Sequence, residues 1–131
     1  MVLVVGVILL LDSEPVVRAV MKEALERAGY VVSATGGLGQ AVDRLAEGRI
    51  DLLITRPYVD NVSGYEAAKY LLQRNPRMSV LVIAGLLDDH RLRDRAAIER
   101  FEVFPPPFTA AQMLEKVKEV LKATRERAAQ A

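Results

Sequence analysis

The chain has 131 residues, of which 51% are hydrophobic and 27% are charged, a balance typical of one folded domain rather than two domains or a disordered chain. Its 18 basic and 17 acidic residues give a net charge of +1, so charge gives no general reason to expect nucleic acid or a membrane surface as a partner. Cysteine is absent, which excludes disulfides, thiolate metal sites and a cysteine nucleophile.

The chain opens on an apolar stretch, residues 2–11, that includes Gly6. This stretch is well short of the roughly 18 residues or more expected for a membrane-spanning helix. It also lacks the basic segment and the A-x-A site of a signal peptide. We therefore predict a buried first strand over Val7–Leu11 and a cytoplasmic protein.

A helix is predicted next, with Ser13 as its N-cap, Pro15 in its first turn and Gly29 at its end. Its apolar residues recur at helical spacing and form the predicted inward stripe: Val17, Val20, Met21, Ala24, Leu25 and Ala28. A second strand is predicted over residues 30–34, and a second helix over residues 40–47. The glycines between them match neither G-x-G-x-x-G nor a Walker A pattern, so they predict a turn rather than a phosphate loop.

Residues 51–64 contain the sharpest change in the chain from apolar residues to polar and turn-forming ones. A third strand is predicted over residues 51–55, because a short apolar run without polar alternation suits a strand covered on both faces. Polar and turn-forming residues follow at once, beginning with Arg56 and Pro57. In open α/β sheets, ligands bind in the crevice at the carboxyl ends of the strands. Arg56 is therefore predicted to lie in the crevice where such a fold binds its ligands.

The remaining elements continue the alternation. Helices are predicted over residues 63–74, about 88–100 and 110 to about 125, and strands over residues 80–84 and 101–104. The helix over residues 88–100 is densely charged, so we expect it to be the most weakly packed. Three prolines, residues 105–107, predict an extended turn. The core domain is predicted over about residues 7–121, with residues 122–131 as a polar helix end or linker that frays.

Five strands alternating with five helices through short connections predict an α/β fold with a parallel sheet covered by helices on both faces. The strand order 2-1-3-4-5 of the flavodoxin-like, doubly wound sheet is the common choice at this length. The switch point for binding then lies beside strands one and three.

Four segments in this layout are similar to a response-regulator receiver domain of the CheY-like type. Residues 8–15 resemble the first strand and its acidic turn, and residues 51–64 align without a gap to the third strand and its loop. Residues 80–85 and 103–109 resemble the fourth strand and the fifth strand with its Lys-Pro-Phe turn. The resemblance covers nearly the whole chain. It implies the receiver fold and a place in two-component signal transduction, including its phosphorelays.

The resemblance also implies positions for a phosphorylation site, and this sequence departs from the pattern at most of them. Receivers phosphorylate an aspartate after strand three, hold Mg²⁺ on acids after strand one, and use a hydroxyl and a lysine after strands four and five. Asp12 retains the first acid, whereas four positions are changed: Ser13, Arg56, Ala84 and Pro106. Val103 also stands where the family's switching aromatic would be. The chain thus resembles a degenerate receiver, or pseudo-receiver.

Three expectations follow for the site. An arginine stays protonated and cannot accept a phosphoryl group, so we expect no catalytic residues and no enzyme activity. One carboxylate beside a guanidinium suits Mg²⁺ poorly, so we expect no metal and no other cofactor. We hypothesise that Arg56 pairs with Asp12 in place of the metal, because a buried unpaired guanidinium would cost on the order of several kcal/mol. The alternative is that Arg56 extends out of the crevice into water.

Two further residues are weaker candidates. Asp60 could replace the missing phosphoacceptor, but its Asp-Asn pair is more typical of a turn that serves the backbone. His90 is the only histidine and lies in the charged helix, where a solvated side chain is the simpler interpretation. Without a second histidine or a cysteine it gives little reason to expect a transition metal.

The main functional hypothesis is a phosphorylation-independent module that regulates signalling through protein–protein interaction. Its candidate contact surface is formed by the predicted fourth helix, fifth strand and fifth helix, with a homodimer as one use of it. The alternatives are an atypical phospho-receiver and a regulatory domain that binds a small anion through Arg56. Neither nucleic acid nor a membrane is expected as a partner.

Overall fold

The protein is described by a computed structural model that covers residues 6–59, 62–83, 102–104 and 109–130. Within these residues the secondary-structure elements follow one another in this order: β1 (Val7–Leu11), α1 (Pro15–Arg27), β2 (Val31–Thr35), α2 (Leu38–Glu47), β3 (Leu52–Thr55), β4 (Tyr58–Val59), β5 (Val62–Ser63), α3 (Gly64–Arg74), β6 (Ser79–Ile83), β7 (Glu102–Phe104) and α4 (Ala110–Gln130).

The larger sheet has the strand order β2-β1-β3-β6-β7, and every pair of neighbouring strands is parallel. The predicted α/β class with a parallel, flavodoxin-like sheet is confirmed. The predicted helix over residues 88–100 lies outside the described residues, as do Asp60, Ala84, His90 and Pro106. The predicted fifth helix corresponds to α4.

Hydrophobic cores lie on both faces of the sheet because successive side chains of a strand point to opposite faces. Leu9, Leu11 and Leu53 pack on one face with residues of α2 and α3, such as Ala41 and Tyr65. The other face holds residues of the same strands together with residues of α1 and α4: Ile8, Leu10, Leu52, Ile54, Met21, Leu25, Met113, Val117 and Leu121. The continuously apolar strand sequences are therefore explained by helices covering both faces.

Helix α1 differs from its prediction at its start and along its predicted stripe. Its N-cap is Glu14 rather than Ser13, with no capping bond from the side chain. The predicted stripe was wrong at Val17, Val20 and Ala28, which are all exposed, because the face against the sheet runs through Met21 and Leu25. The predicted end is confirmed at Gly29, whose φ of 99° lies in the left-handed region that favours glycine.

Helix α4 continues to Gln130, so the predicted polar end from residue 122 is helical in the described structure. A buried polar contact joins this part of the helix to the start of β6. Thr124 Oγ1 donates to the Val120 carbonyl at 2.8 Å, so the proton of the 2.5 Å bond between Ser79 and Thr124 comes from Ser79. Arg127 Nη2 donates to Ser79 Oγ. In the part of the chain that the structure describes, no helix is both long and apolar enough to span a membrane.

The loop after β3 contains a small antiparallel pair, β4 and β5, that the sequence analysis did not predict. The loop closes where α3 begins, because the Gly64 amide donates to the Pro57 carbonyl at 2.7 Å. A Cβ atom on Gly64 would lie only 1.7 Å from the Arg56 carbonyl oxygen. The start of α3 and the residues after β3 are therefore in such close contact that only glycine fits.

We expect Gly64→Ala to destabilise the protein by about 3 kcal/mol or more, because the added carbon overlaps a backbone atom that cannot change rotamer. Gly39→Ala is the matched control, since no atom of the described residues outside its own helical turn and chain neighbours lies within 4 Å of its added Cβ. Alanine should favour the helix by up to about 1 kcal/mol. Urea unfolding of both variants measures this difference. Equal stability of the two variants would contradict the contact.

We expect Thr124→Val to destabilise by about 1 to 2 kcal/mol, because the buried Ser79 hydroxyl loses its acceptor. Adding Ser79→Ala should cost less than the sum of the single changes, since both members of the bond are then gone. A double-mutant cycle by urea unfolding tests this coupling. Amide hydrogen exchange over residues 122–130 should be faster in Thr124→Val than in the wild type if the bond stabilises this part of α4. Strict additivity would show that the two hydroxyls do not interact.

Candidate functional site at the carboxyl edge of the sheet

The first and third strands bring the two main site residues to the same edge of the sheet. In the register of the parallel pairs, Leu11 lies opposite both Thr35 of β2 and Thr55 of β3. Asp12 and Arg56 are the next residues along β1 and β3, so each follows a strand end at the carboxyl edge. This is the switch point at which open α/β sheets bind ligands.

Asp12 is only 1% exposed, and its carboxylate serves the local backbone. Oδ1 accepts the Glu14 amide at 2.9 Å, which orders the turn before α1. The Asp12 amide donates to the Thr35 carbonyl at 3.1 Å and ties this turn to β2. The other carboxylate oxygen, Oδ2, is buried and has no hydrogen-bond partner among the described residues. Asp12 thus has a structural role as the acceptor of a backbone hydrogen bond, and only one of its two carboxylate oxygens is used in the described structure.

Arg18 is a second cation at this edge, and the sequence analysis missed it. Its Nη1 donates to the Asp12 carbonyl oxygen at 2.7 Å. A Cβ atom on Gly36 would lie 2.7 Å from the same nitrogen, so glycine leaves room for the guanidinium beside the end of β2. The one signal in the sequence is an arginine in the first turns of α1, close to the acidic turn.

Arg56 is half-buried, and its Nε is buried without a hydrogen-bond partner in the part of the chain that the structure describes. Its carbonyl oxygen accepts the Thr55 hydroxyl at 3.1 Å and is contacted by Gly64. Pro57 follows it, buried and without an amide hydrogen. The backbone on both sides of Arg56 is therefore held by neighbouring groups.

The ion pair predicted between Asp12 and Arg56 is not formed among the residues that the structure describes, where every ion pair joins other residues. This corrects the sequence-based hypothesis. Asp12 Oδ1 accepts the Glu14 amide, while the Arg56 carbonyl is held by the Thr55 hydroxyl and lies against Gly64, so the backbone of each residue is fixed by its own neighbours. The cation that contacts Asp12 is Arg18, and it binds the main-chain carbonyl rather than the carboxylate.

The other predicted positions are only partly described. Ser13 is half-buried beside Asp12, whereas Ala84 and Pro106 lie outside the described residues, as do Asp60 and His90. Within the described ranges, no group of three or more histidine, cysteine, aspartate and glutamate residues could hold a metal ion.

Comparison with known proteins identifies the family. The sequence model of the family described as response regulator receiver domain matches residues 8–118. The chain therefore belongs to this family. Receiver domains are parts of two-component response regulators, and they interact with other proteins of those systems. The expectation of a CheY-like receiver is confirmed.

The similarities to individual proteins are moderate. The chain is 27% identical over 125 residues to the DNA-binding transcriptional regulator NtrC of Bradyrhizobium sp. (strain RP501 Parasponia), covering 93% of this chain and 25% of that protein. It is also 27% identical over 114 residues to the response regulator receiver protein CpdR of Brucella abortus (strain 2308), covering 87% of this chain and 95% of that one. The chain thus spans about a quarter of the first relative and nearly all of the second.

A solved structure shows the same fold. The crystal structure of a response regulator receiver protein from Sinorhizobium medicae WSM419 superposes with a TM-score of 0.78 at 25% identity, covering 91% of this chain and 96% of that one.

We expect Asp12→Asn to change the free energy of unfolding by less than about 0.5 kcal/mol or to raise it, because asparagine keeps an oxygen for the Glu14 amide and removes a buried charge. Asp12→Ala should cost about 1 kcal/mol, since the Glu14 amide loses its acceptor. Urea unfolding at neutral pH compares the two. Equal losses in both variants would show that the negative charge itself is required.

Proposed function

We propose that this receiver domain is a pseudo-receiver: a signalling module that works without phosphorylation and acts through protein–protein contacts. The observation that carries the proposal is Arg56, which follows β3 at the carboxyl edge where the family resemblance implies the phosphoacceptor aspartate. We further propose that the whole chain has the complete flavodoxin-like arrangement of five strands and five helices. We also propose that the protein is cytoplasmic.

The chemistry at this position argues against phosphoryl transfer. Phosphorylation of a receiver needs a carboxylate nucleophile, and a guanidinium remains protonated and has no free lone pair with which to attack. Pro57 adds to this, because it has no backbone N–H to donate to a phosphoryl oxygen. The sequence changes at Ser13, Ala84 and Pro106 remove the second acid, the hydroxyl and the lysine that the resemblance implies.

The same residues argue against a bound Mg²⁺. This ion prefers oxygen ligands arranged as a near-ideal octahedron and usually needs one or two carboxylates. Asp12 Oδ2 is the one carboxylate oxygen at this edge of the described structure that is buried and unpartnered, and the Arg18 guanidinium donates to the main-chain carbonyl of the same residue. We therefore propose that the domain binds no metal and needs no cofactor.

Exposed apolar side chains on α1 are the structural support for a contact function. Val16 is 76% exposed, and Val20, one turn further along, is also mostly exposed. Both lie on the helix that follows Asp12, so the apolar surface adjoins the carboxyl edge. Together with Val17, which is 37% exposed, they form a small exposed apolar surface, and we propose it as a contact for a protein partner.

A second candidate surface for the protein partner comprises β7, α4 and the predicted helix over residues 88–100. In its described part, Lys116 bridges Glu102 of β7 and Glu119 of α4 at 3.2 and 3.6 Å. This pairing leaves a charged surface that suits polar contacts at the rim of an interface. The partner is a protein, and a second copy of this chain is one candidate.

Two other functions are kept as alternatives. An atypical phospho-receiver would need a different acceptor, for which Asp60 is the candidate. A regulatory anion site is suggested by Arg56, because its buried Nε has no acceptor in the described structure. A thermal-shift comparison of the wild type and Arg56→Met in sulfate and phosphate tests the second alternative, and equal responses of the two proteins would exclude it.

The experiment that tests the main proposal is labelling with acetyl phosphate and Mg²⁺, followed by intact-mass spectrometry, together with beryllofluoride titration. We expect no adduct in the wild type and none in Arg56→Asp, because the other catalytic groups are still missing. The positive control is a combined variant with Ser13→Asp, Arg56→Asp, Ala84→Thr and Pro106→Lys. Its mass should increase by roughly 80 Da, the mass of one phosphoryl group, because the metal and the introduced lysine neutralise the charge that develops during transfer.

A stable adduct on the wild-type chain, or a Mg²⁺-dependent spectral change in it, would overturn the proposal. If Asp60→Asn removed such an adduct, the atypical phospho-receiver would be the correct function. Sedimentation velocity of the wild type and of Val16→Ser/Val20→Ser then tests self-association: a concentration-dependent dimer that the variant loses assigns α1 as the contact, whereas a wild-type monomer assigns the partner to another protein.

A further inference from the structure

A cleft lies at the opposite edge of the sheet from Arg56, at the amino ends of β3 and β6. Its volume is about 340 Å³, and its wall includes Arg49, Ile50 and Asp51 before or at the start of β3, and Arg77 before β6. Leu121 and Arg125 of α4 complete it. Small-molecule sites commonly have volumes of about 300 to 1,000 Å³, so the cleft is large enough for a small ligand.

The wall of this cleft is held in place by hydrogen bonds that run between elements. Asp51 Oδ2 accepts the Val7 amide at 2.9 Å, which joins the starts of β1 and β3. Asn75 Nδ2 donates to the Ile50 carbonyl at 3.0 Å, which joins the turn after α3 to the same segment. Thr124, which also lines the cleft, is engaged with Ser79. The cleft therefore has a fixed frame rather than a loop of variable shape.

The charge in the cleft is unbalanced. Three arginines line it against one carboxylate, Asp51, and that carboxylate is already paired with Arg49 at 3.1 Å. Neither Arg77 nor Arg125 belongs to an ion pair in the described part of the chain. Arg77 and Arg125, which are both exposed, thus line a common space without an ion pair to any described residue, whereas the chain as a whole carries a net charge of only +1.

Arg125 also acts electrostatically on Tyr30, a buried residue beside Gly6. Burial raises the pKa of the Tyr30 hydroxyl, and the Arg125 cation opposes this by lowering the pKa. The Glu115 carboxylate acts in the opposite direction to Arg125 and raises the pKa of Tyr30.

We propose that this cleft binds a small soluble phosphorylated ligand, with Arg77 and Arg125 holding the phosphate group. A guanidinium presents two parallel N–H donors that match two oxygens of a phosphate, so arginine is better suited than lysine to this role. The apolar Ile50 and Leu121 are available to contact the remainder of the ligand. The site is independent of the proposed pseudo-receiver function, since it uses none of the residues at the carboxyl edge.

The test uses the full 131-residue chain with pyrophosphate as the probe, in a buffer of about 0.15 M salt so that weak surface attraction is screened. Isothermal titration calorimetry measures the affinity, and amide NMR shifts locate the bound anion. Arg77→Gln and Arg125→Gln should each weaken binding by about tenfold or more, because each removes a charged hydrogen-bonding group. Shifts are expected at residues 49–51, 75–77 and 121–125.

Two matched variants control for general charge and for the other edge of the sheet. Arg44→Gln removes an exposed arginine that pairs with Glu47 away from the cleft, and Arg56→Met removes the cation at the carboxyl edge. Both should bind pyrophosphate within about twofold of the wild type, since neither residue lines the cleft. Thermal melts of all four variants verify that each is folded.

Absence of binding by the wild type at this salt concentration would overturn the proposal. It would also be overturned if all four variants lost affinity equally, which would indicate general charge attraction. Loss of binding only in Arg56→Met would assign the anion to the carboxyl edge instead, and this outcome would leave the acetyl phosphate experiment to decide the pseudo-receiver function separately.

Discussion

The complete burial of the central strands β1 and β3 is the constraint from which the rest of the structure follows. Leu9, Leu10, Leu53 and Ile54 are all at most 1% exposed, although successive residues of a strand point to opposite faces. Both faces must therefore be covered, and helices that connect parallel strands are the means of covering them. The parallel direction of the strands in turn gathers their carboxyl ends at one edge.

That edge is shaped by close contacts more than by charge pairing. Gly64 lies against the Arg56 carbonyl and fixes where α3 begins, while Asp12 Oδ1 accepts the Glu14 amide and fixes where α1 begins. The two helix starts thus converge on the residues that follow β1 and β3. The residues at this edge include Arg18 and Arg56. The fold accommodates an arginine after β3 because its hydrophobic core lies between the sheet and its helices.

The two edges of the sheet carry positive charge in different ways. At the carboxyl edge, Arg18 donates to a backbone carbonyl and is part of the packing. At the amino edge, Arg77 and Arg125 line an open cleft without forming ion pairs among the described residues. A near-neutral chain can therefore present a locally basic surface, since net charge reports only the sum over the molecule. The composition gave no indication of this separation.

Much of the fold could be predicted from the amino-acid order alone. Apolar runs marked β1, β3 and β6 to within one residue, and the position of Arg56 after β3 was correct because a strand and its following residue are local features. Contacts that depend on packing could not be predicted: the bond between Ser79 and Thr124 that joins β6 to α4, the main-chain carbonyl that Arg18 contacts, and, among the described residues, the missing pair between Asp12 and Arg56. Each depends on how separate elements pack, and periodicity along a single element carries no information about the side-chain partners that packing provides.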